Sequence, residues 1–174
     1  GITLDLDRVY KMMDKLDNDA EEKINTIAYR NTASLFQGKI DVVFFDCTTL
    51  YFEAFEEDEF RKFGYSKDLR FNQPQVLLAL MVTKEGLPIG YQAFNGSTYE
   101  GHTLIPALKK LREKYNLDKI VFVADSAMMN KNNIVELEKE NFEYIVGSRL
   151  KNLPKELQEQ ILDHNNYREV KEVT

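Results

Sequence analysis

Apolar residues follow two rhythms along this chain. Near the N-terminus Leu6, Val9, Met13 and Leu16 recur at steps of three and four, and after the polar break Asp17-Asn18-Asp19 the stripe resumes at Ile24, Ile27, Ala28 and Leu35. Such spacing keeps apolar side chains on one side of a 3.6-residue turn, so it predicts two amphipathic helices, the first from Leu4 to Leu16. Asp19 can cap the second with Glu22 three residues on, and Gly38 can end it. Both read as packing elements. From Ile40 the rhythm changes to unbroken runs of β-branched and aromatic residues. Val42-Val43-Phe44-Phe45-Asp46 and Ile120-Val121-Phe122-Val123-Ala124-Asp125 lack polar alternation and read as strands covered on both faces, each reaching an aspartate.

The remaining elements fall between these landmarks. The first strand runs from Ile40 to about Leu50. Phe52 to Gln73 then turns polar and aromatic, with an acidic run at Glu56-Glu57-Asp58-Glu59 that reads as a solvated face. Gln75 to Thr83 is a second strand, Lys84-Glu85-Gly86 a turn, and Pro88 to Asn95 a third strand closing at Asn95-Gly96. Helical spacing from His102 to Tyr115, a strand from Lys119 to Asp125, a helix from Asn132 to Glu140 and a strand from Phe142 to Gly147 complete a β-β-β-α-β-α-β order. A last helix spans Leu153 to Leu162 with Pro154 at its start, and the tail from Asn165 lacks a period. The expected division is an N-terminal helical segment over residues 1–38 and a core over 39–174.

Composition narrows the chemistry. At 174 residues with 43% apolar content the chain can build a full core. Its single cysteine, Cys47, and two histidines, His102 and His164, allow no Cys/His zinc spacing, so a metal here would be oxygen-ligated, which favours magnesium or manganese. An anion at the rim of an apolar layer costs free energy unless a cation or donor compensates it, so Asp46 and Asp125 are candidate ligands of a shared ion. Aspartate also ends strands merely by starting the next turn. The net charge of −6 argues against a surface built uniformly for nucleic acid, and any basic surface has to be local or lie on segments outside this chain. With no window near the roughly 20 apolar residues that cross a bilayer, and no secretory signal, a cytoplasmic, non-membrane protein is expected.

Three strands in a meander, a helix and a parallel strand, with acids on the first and fourth strands, form the layout of an RNase H-like mixed five-stranded sheet flanked by helices. Its residues carry a closer likeness. Asp46-Cys47-Thr48-Thr49-Leu50-Tyr51-Phe52-Glu53, Gly64-Tyr65-Ser66-Lys67-Asp68, Gln75-Val76, Gly86-Leu87-Pro88-Ile89-Gly90, Phe94-Asn95-Gly96-Ser97-Thr98 and Ala124-Asp125-Ser126-Ala127-Met128 occur in that order. Together they resemble the DDE transposases of bacterial insertion sequences, in the insertion-sequence-4 superfamily.

The resemblance implies a DNA transposase whose three acids hold two magnesium (or manganese) ions for phosphodiester cleavage and strand transfer. It further implies binding to transposon-end and target DNA and self-association in a synaptic complex. By matched position Asp46 is the first acid and Asp125 the second. The third, a glutamate in a signature of Tyr, two residues, Arg, three residues, Glu, six residues, Lys, is not found: Val170 follows Tyr167 where Arg is needed, so Glu169 and Glu172 do not qualify. The chain resembles an N-terminal part of a longer transposase, expected to lack strand transfer alone.

Lys67, Arg70, Arg149 and Lys151 lie near predicted strand ends where a phosphate backbone could pass, although ordinary solvated cations would look the same. Thr48 and Thr49 could support Asp46; Glu53, Asp68 and Glu100 are further candidate ligands without strand-end position. Tyr51, Tyr65 and Tyr99 could stack on a base or pack in the rim. His102 reads as a residue at a helix start.

Two other functions compete. Asp46 followed by Thr48 also resembles the haloacid dehalogenase phosphatases, although a hairpin from Gln75 to Asn95 does not suit a doubly wound sheet. The other is a non-catalytic remnant that binds DNA or a partner.

Overall fold

The computed structural model describes residues 5–168 apart from 18, 67, 116, 118, 119 and 129. In chain order it contains α1 (Leu6–Met13), α2 (Ala20–Leu35), β1 (Val42–Tyr51), β2 (Gln75–Thr83), β3 (Pro88–Asn95), α3 (Leu104–Tyr115), β4 (Val121–Ala124), α4 (Lys131–Lys139), β5 (Glu143–Val146) and α5 (Lys155–Leu162). The strands form one sheet ordered β3-β2-β1-β4-β5. β1 is antiparallel to β2 and β2 to β3, whereas β4 lies parallel to both β1 and β5. This is the mixed five-stranded arrangement expected from the sequence.

The hairpin forms where it was predicted, because Gly86 adopts φ +80° in the turn and Gly86 N–H donates to Thr83 O at 2.9 Å. Gly38, at φ +79°, ends α2 through its N–H on Ala33 O at 2.8 Å. The expected cap by Asp19 does not form: Asp19 precedes α2 but makes no side-chain cap hydrogen bond.

One face of the sheet carries the core. Val43, Phe45 and Cys47 of β1, Ala79 and Met81 of β2, and Phe122 and Ala124 of β4 are buried with Leu104, Ala107, Leu108 and Leu111 of α3 and Leu137 of α4. The reading of β1 as a strand covered on both faces is corrected here. Residues of opposite parity point to a second face that the described elements leave open, where Phe44 is 42% exposed, Leu80 41% and Ile145 62%. The pairs Phe44↔Val123 and Val123↔Ile145 place these apolar groups side by side. The unbroken apolar run therefore encodes a second apolar face, but α3 and α4 cover only the first.

The helical and strand layers are joined by defined contacts. Tyr29 of α2 stacks on Tyr115 of α3 with ring centroids 3.7 Å apart. Arg112 of α3 clasps the end of α4, donating to Glu140 O at 2.7 Å and Glu140 Oε2 at 2.6 Å while its guanidinium lies 4.2 Å from the Phe142 ring centroid. Lys109 adds a 2.9 Å ion pair to the same carboxylate, and the two cations hold the Glu140 carboxyl below its ordinary range.

α2 also meets the outer edge of β3. The Asn25 side chain and the Thr32 hydroxyl bond the backbone at Tyr91 and Pro88, so the helix runs antiparallel to the strand. Seven residues of helix and three of strand both advance about 10 Å, which lets the two contacts share one register.

Candidate metal centre and the adjoining cleft

The parallel pairing of β1 and β4 runs from Val42↔Val121 to Phe45↔Ala124, so Asp46 and Asp125 are the next residues in register on neighbouring strands. Such strands lie about 4.8 Å apart. Both aspartates are exposed, and the alternation along each strand puts them on the side of Phe44 and Val123, the open face. Asp46 is not at the end of its own strand. β1 continues to Tyr51, paired with β2, and Asp46 faces Leu80; the rim arises because the shorter β4 stops at Ala124.

Each carboxylate is oriented by a backbone amide. Asp46 Oδ1 accepts from Cys47 N–H at 2.8 Å, and Asp125 Oδ1 accepts from Ala127 N–H at 2.7 Å. The turn after Asp125 is tightened by Met128 N–H on Asp125 O at 3.2 Å and flanked by the end of β5, where Gly147 N–H donates to Ala124 O at 3.1 Å. A Cβ on Gly147 would lie 3.0 Å from Ser126 N, so the chain after β5 passes close to the turn that follows Asp125. Two aspartates in register supply hard oxygen donors of the kind magnesium and manganese take. They are only part of a ligand set: among the described residues no group of three or more His, Cys, Asp or Glu is arranged to hold a metal.

The other sequence candidates scatter. Lys67 lies outside the described residues, as do Glu169, Val170 and Glu172. Arg70 is drawn to protein, its guanidinium 5.1 Å from the Tyr51 ring centroid. Lys151 is exposed in the short 3-10 turn Leu150–Asn152. Arg149 lines a cavity of about 310 Å³ with Thr49, Tyr65, Tyr99, Glu100 and Ala127, and a second of about 220 Å³ that shares Tyr99 and Ala127. Glu53 and Asp68 are exposed in the segment between β1 and β2. Cys47 is buried with its sulfur 3.0 Å from Thr103 Oγ1. His102 closes the 3-10 turn Glu100–His102 and meets the Tyr99 ring edge to face at 5.3 Å.

The acidic run is more than a solvated face. Asp58 Oδ1 accepts from the amides of Phe60 and Arg61 at 2.8 and 2.5 Å, and its Oδ2 pairs with Arg61 at 2.6 Å. These bonds, the Arg61 amide foremost, lower its carboxyl to about 2. Glu57 accepts from Phe63 N–H at 2.7 Å.

Sequence reasoning missed how the cleft walls are tied. The buried Gln75 amide donates to Tyr65 O at 3.2 Å and Gly96 O at 2.8 Å, joining the loop before β2 to the turn after β3. Cβ atoms on Gly64 and Gly96 would lie 2.1 Å from Gly96 O and 2.0 Å from Gln75 O, so the two backbones touch because both residues lack side chains. Gly64, Gln75 and Gly96 stand in the motifs of the resemblance, but their sequence gives no hint that they meet.

A family profile described as the transposase DDE domain matches residues 37–173. A comparison with curated proteins gave no match. Among solved structures, the chain is similar to the Mos1 transposase paired-end complex with left transposon end, at 16% identity and a TM-score of 0.41 over 75% of this chain and 43% of that one. It is similar to the Mos1 strand transfer complex at 15% identity and a TM-score of 0.42, over 79% and 45%. A third, the Mos1 mariner paired end complex with Mn, gives 16% identity and a TM-score of 0.38 over 75% and 43%. The chain thus spans less than half the length of those it matches. With the profile covering most of its sequence, the chain belongs to the transposase DDE domain family.

Proposed function

We propose that this chain carries the first two acids of an insertion-sequence transposase of the insertion-sequence-4 superfamily, acting in the cytoplasm on transposon-end and target DNA and self-associating in a synaptic complex. The observation that supports this reading best is the register of β1 against β4, which brings Asp46 and Asp125 to neighbouring positions although they are far apart in sequence. Their roles are to hold divalent metal, with the backbone amides of Cys47 and Ala127 fixing one oxygen of each carboxylate. Paired magnesium or manganese ions, when bound, would activate the attacking oxygen and stabilise the leaving one. Among the described residues no third His, Cys, Asp or Glu joins Asp46 and Asp125 in a metal-holding group. The antiparallel pairing of β1 with β2 is at odds with the doubly wound sheet of the phosphatase alternative, which has no support of its own.

In the full-length transposase Asp125→Ala and Asp46→Ala should each abolish DNA cleavage while leaving end binding within a few-fold. Cleavage retained by either variant would remove that residue from the site.

A further inference from the structure

The sheet does not by itself hold Asp125 against Asp46. β4 has four residues, and its ladder with β1 ends at Phe45↔Ala124, one position short of both acids. The 3-10 turn Glu100–His102 and the Thr103 that follows it reach the chain beside each of them. On one side Cys47, whose N–H holds Asp46 Oδ1, places its sulfur 3.0 Å from Thr103 Oγ1, and that hydroxyl donates to Glu100 O at 2.7 Å. On the other, Asn133 in the first turn of α4 donates through Nδ2 to Gly101 O at 2.6 Å and to Met128 O at 2.9 Å. Met128 N–H closes back on Asp125 O at 3.2 Å, which brackets the Ala127 amide that holds Asp125 Oδ1.

Burial stiffens both links. Thr103, Asn133, Gly101 and Met128 are all buried, and a buried amide that bridges two carbonyls is costly to leave unmade, so its Nδ2 fixes the distance between the two segments. The turn runs directly into α3, whose Leu104 and Leu108 lie in the core. One anchored turn therefore grips the backbone next to both acids. Ligands of a shared ion have to be held to within about 0.5 Å, a precision that the ladder stops short of supplying. We propose that Asn133 and Thr103 are positioning residues of the metal centre, setting the separation of the Asp46 and Asp125 carboxylates through the 100–103 turn they share. The inference rests on the reading of these two acids as metal ligands and extends it to two side chains outside the ligand set.

The test is a manganese titration of the 174-residue chain, read by the electron paramagnetic resonance signal of the free ion at a temperature where the variants stay folded. Asn133→Ala and Thr103→Val should each weaken manganese about ten-fold, the size of effect seen when groups that orient metal ligands are removed. Thr103→Val keeps the shape of the side chain, and Glu100 O retains its bond from the Thr103 backbone N–H at 3.1 Å, so this arm stands even where Asn133→Ala fails to fold. Thr103→Ser, which restores the hydroxyl, should bind within about two-fold of the parent. Asn25→Ala, on the outer edge of β3, supplies a variant of lowered stability whose manganese affinity should also stay within about two-fold. Parent-like affinity in Asn133→Ala or Thr103→Val, or an equal loss in Asn25→Ala, would overturn the positioning roles and leave metal binding by Asp46 and Asp125 standing. Manganese binding absent from the parent, or unchanged by Asp46→Asn and Asp125→Asn, would overturn both.

Discussion

Asn25 grips the backbone of Tyr91 with both ends of its amide, Nδ2 donating to Tyr91 O at 2.9 Å and Oδ1 accepting from Tyr91 N–H at 2.7 Å. A helical side chain thereby supplies the two bonds that a neighbouring strand would give. Asn25 is 6% exposed, so its removal strands a buried donor and acceptor. Asn25→Ala should destabilise the chain by about 2–4 kcal/mol, the cost of two unsatisfied buried groups. The urea midpoint measures it, and a loss under about 0.5 kcal/mol would mean that water replaces the amide.

Gly96 and Gly86 make opposite cases. A Cβ on Gly96 meets the carbonyl oxygens of Gln75 and Lys62 at 2.0 and 2.4 Å, whereas one on Gly86 meets nothing within 4 Å but would adopt φ +80°. Gly96→Ala should cost about 3 kcal/mol through forced backbone movement. Gly86→Ala should cost only about 1 kcal/mol, from conformation alone. Parallel denaturation curves test the ranking, and equal losses would contradict the contact between the cleft walls.

The low carboxyl of Asp58 has a pH signature. Its folded value of about 2 lies below the 3.8 of an unperturbed aspartate, so the stability it contributes is complete above the unfolded value and is lost as pH falls through about 2. Asp58→Asn should therefore lower the thermal midpoint at pH 5 to 7, with the difference from the parent shrinking from about pH 4 downwards. A difference that stays constant over that interval would separate Asp58 from the effect.

Asp46 and Asp125 alone make a sparse site, and manganese should bind the chain weakly, on the order of 0.1–1 mM, as at sparsely liganded calcium sites. Paramagnetic broadening should centre on residues 44–48 and 123–127 and disappear in Asp46→Asn and in Asp125→Asn. Broadening that persists in both variants would place the ion elsewhere.

Local signals carried most of the fold. β2 and β3 were legible to the residue because Thr83-Lys84-Glu85-Gly86 breaks one apolar run and Asn95-Gly96 ends the next. The hairpin and the helical crossover after it were legible, and the two aspartates stood out because each follows an apolar run, whereas the pairing of β4 with β1 rather than β3 is a tertiary choice that local sequence leaves open. What failed was whatever depends on distant partners. The run Val42 to Phe45 could not say that only one of its faces is covered, since coverage is decided by α3 and α4. Asn25 looked like any polar residue in an amphipathic helix, and its bond to Tyr91 has no local trace. Tyr65 and Tyr99 were candidates singly; that Gln75 joins their loops is a tertiary fact.

The helix along β3 has one more effect. With α2 occupying that side, lateral growth of the sheet by another polypeptide is blocked there, and β5 is the margin where the described residues place no further strand. It is four residues long and presents Glu143 beside the exposed Ile145, a short and partly charged border that discourages unplanned annealing between molecules.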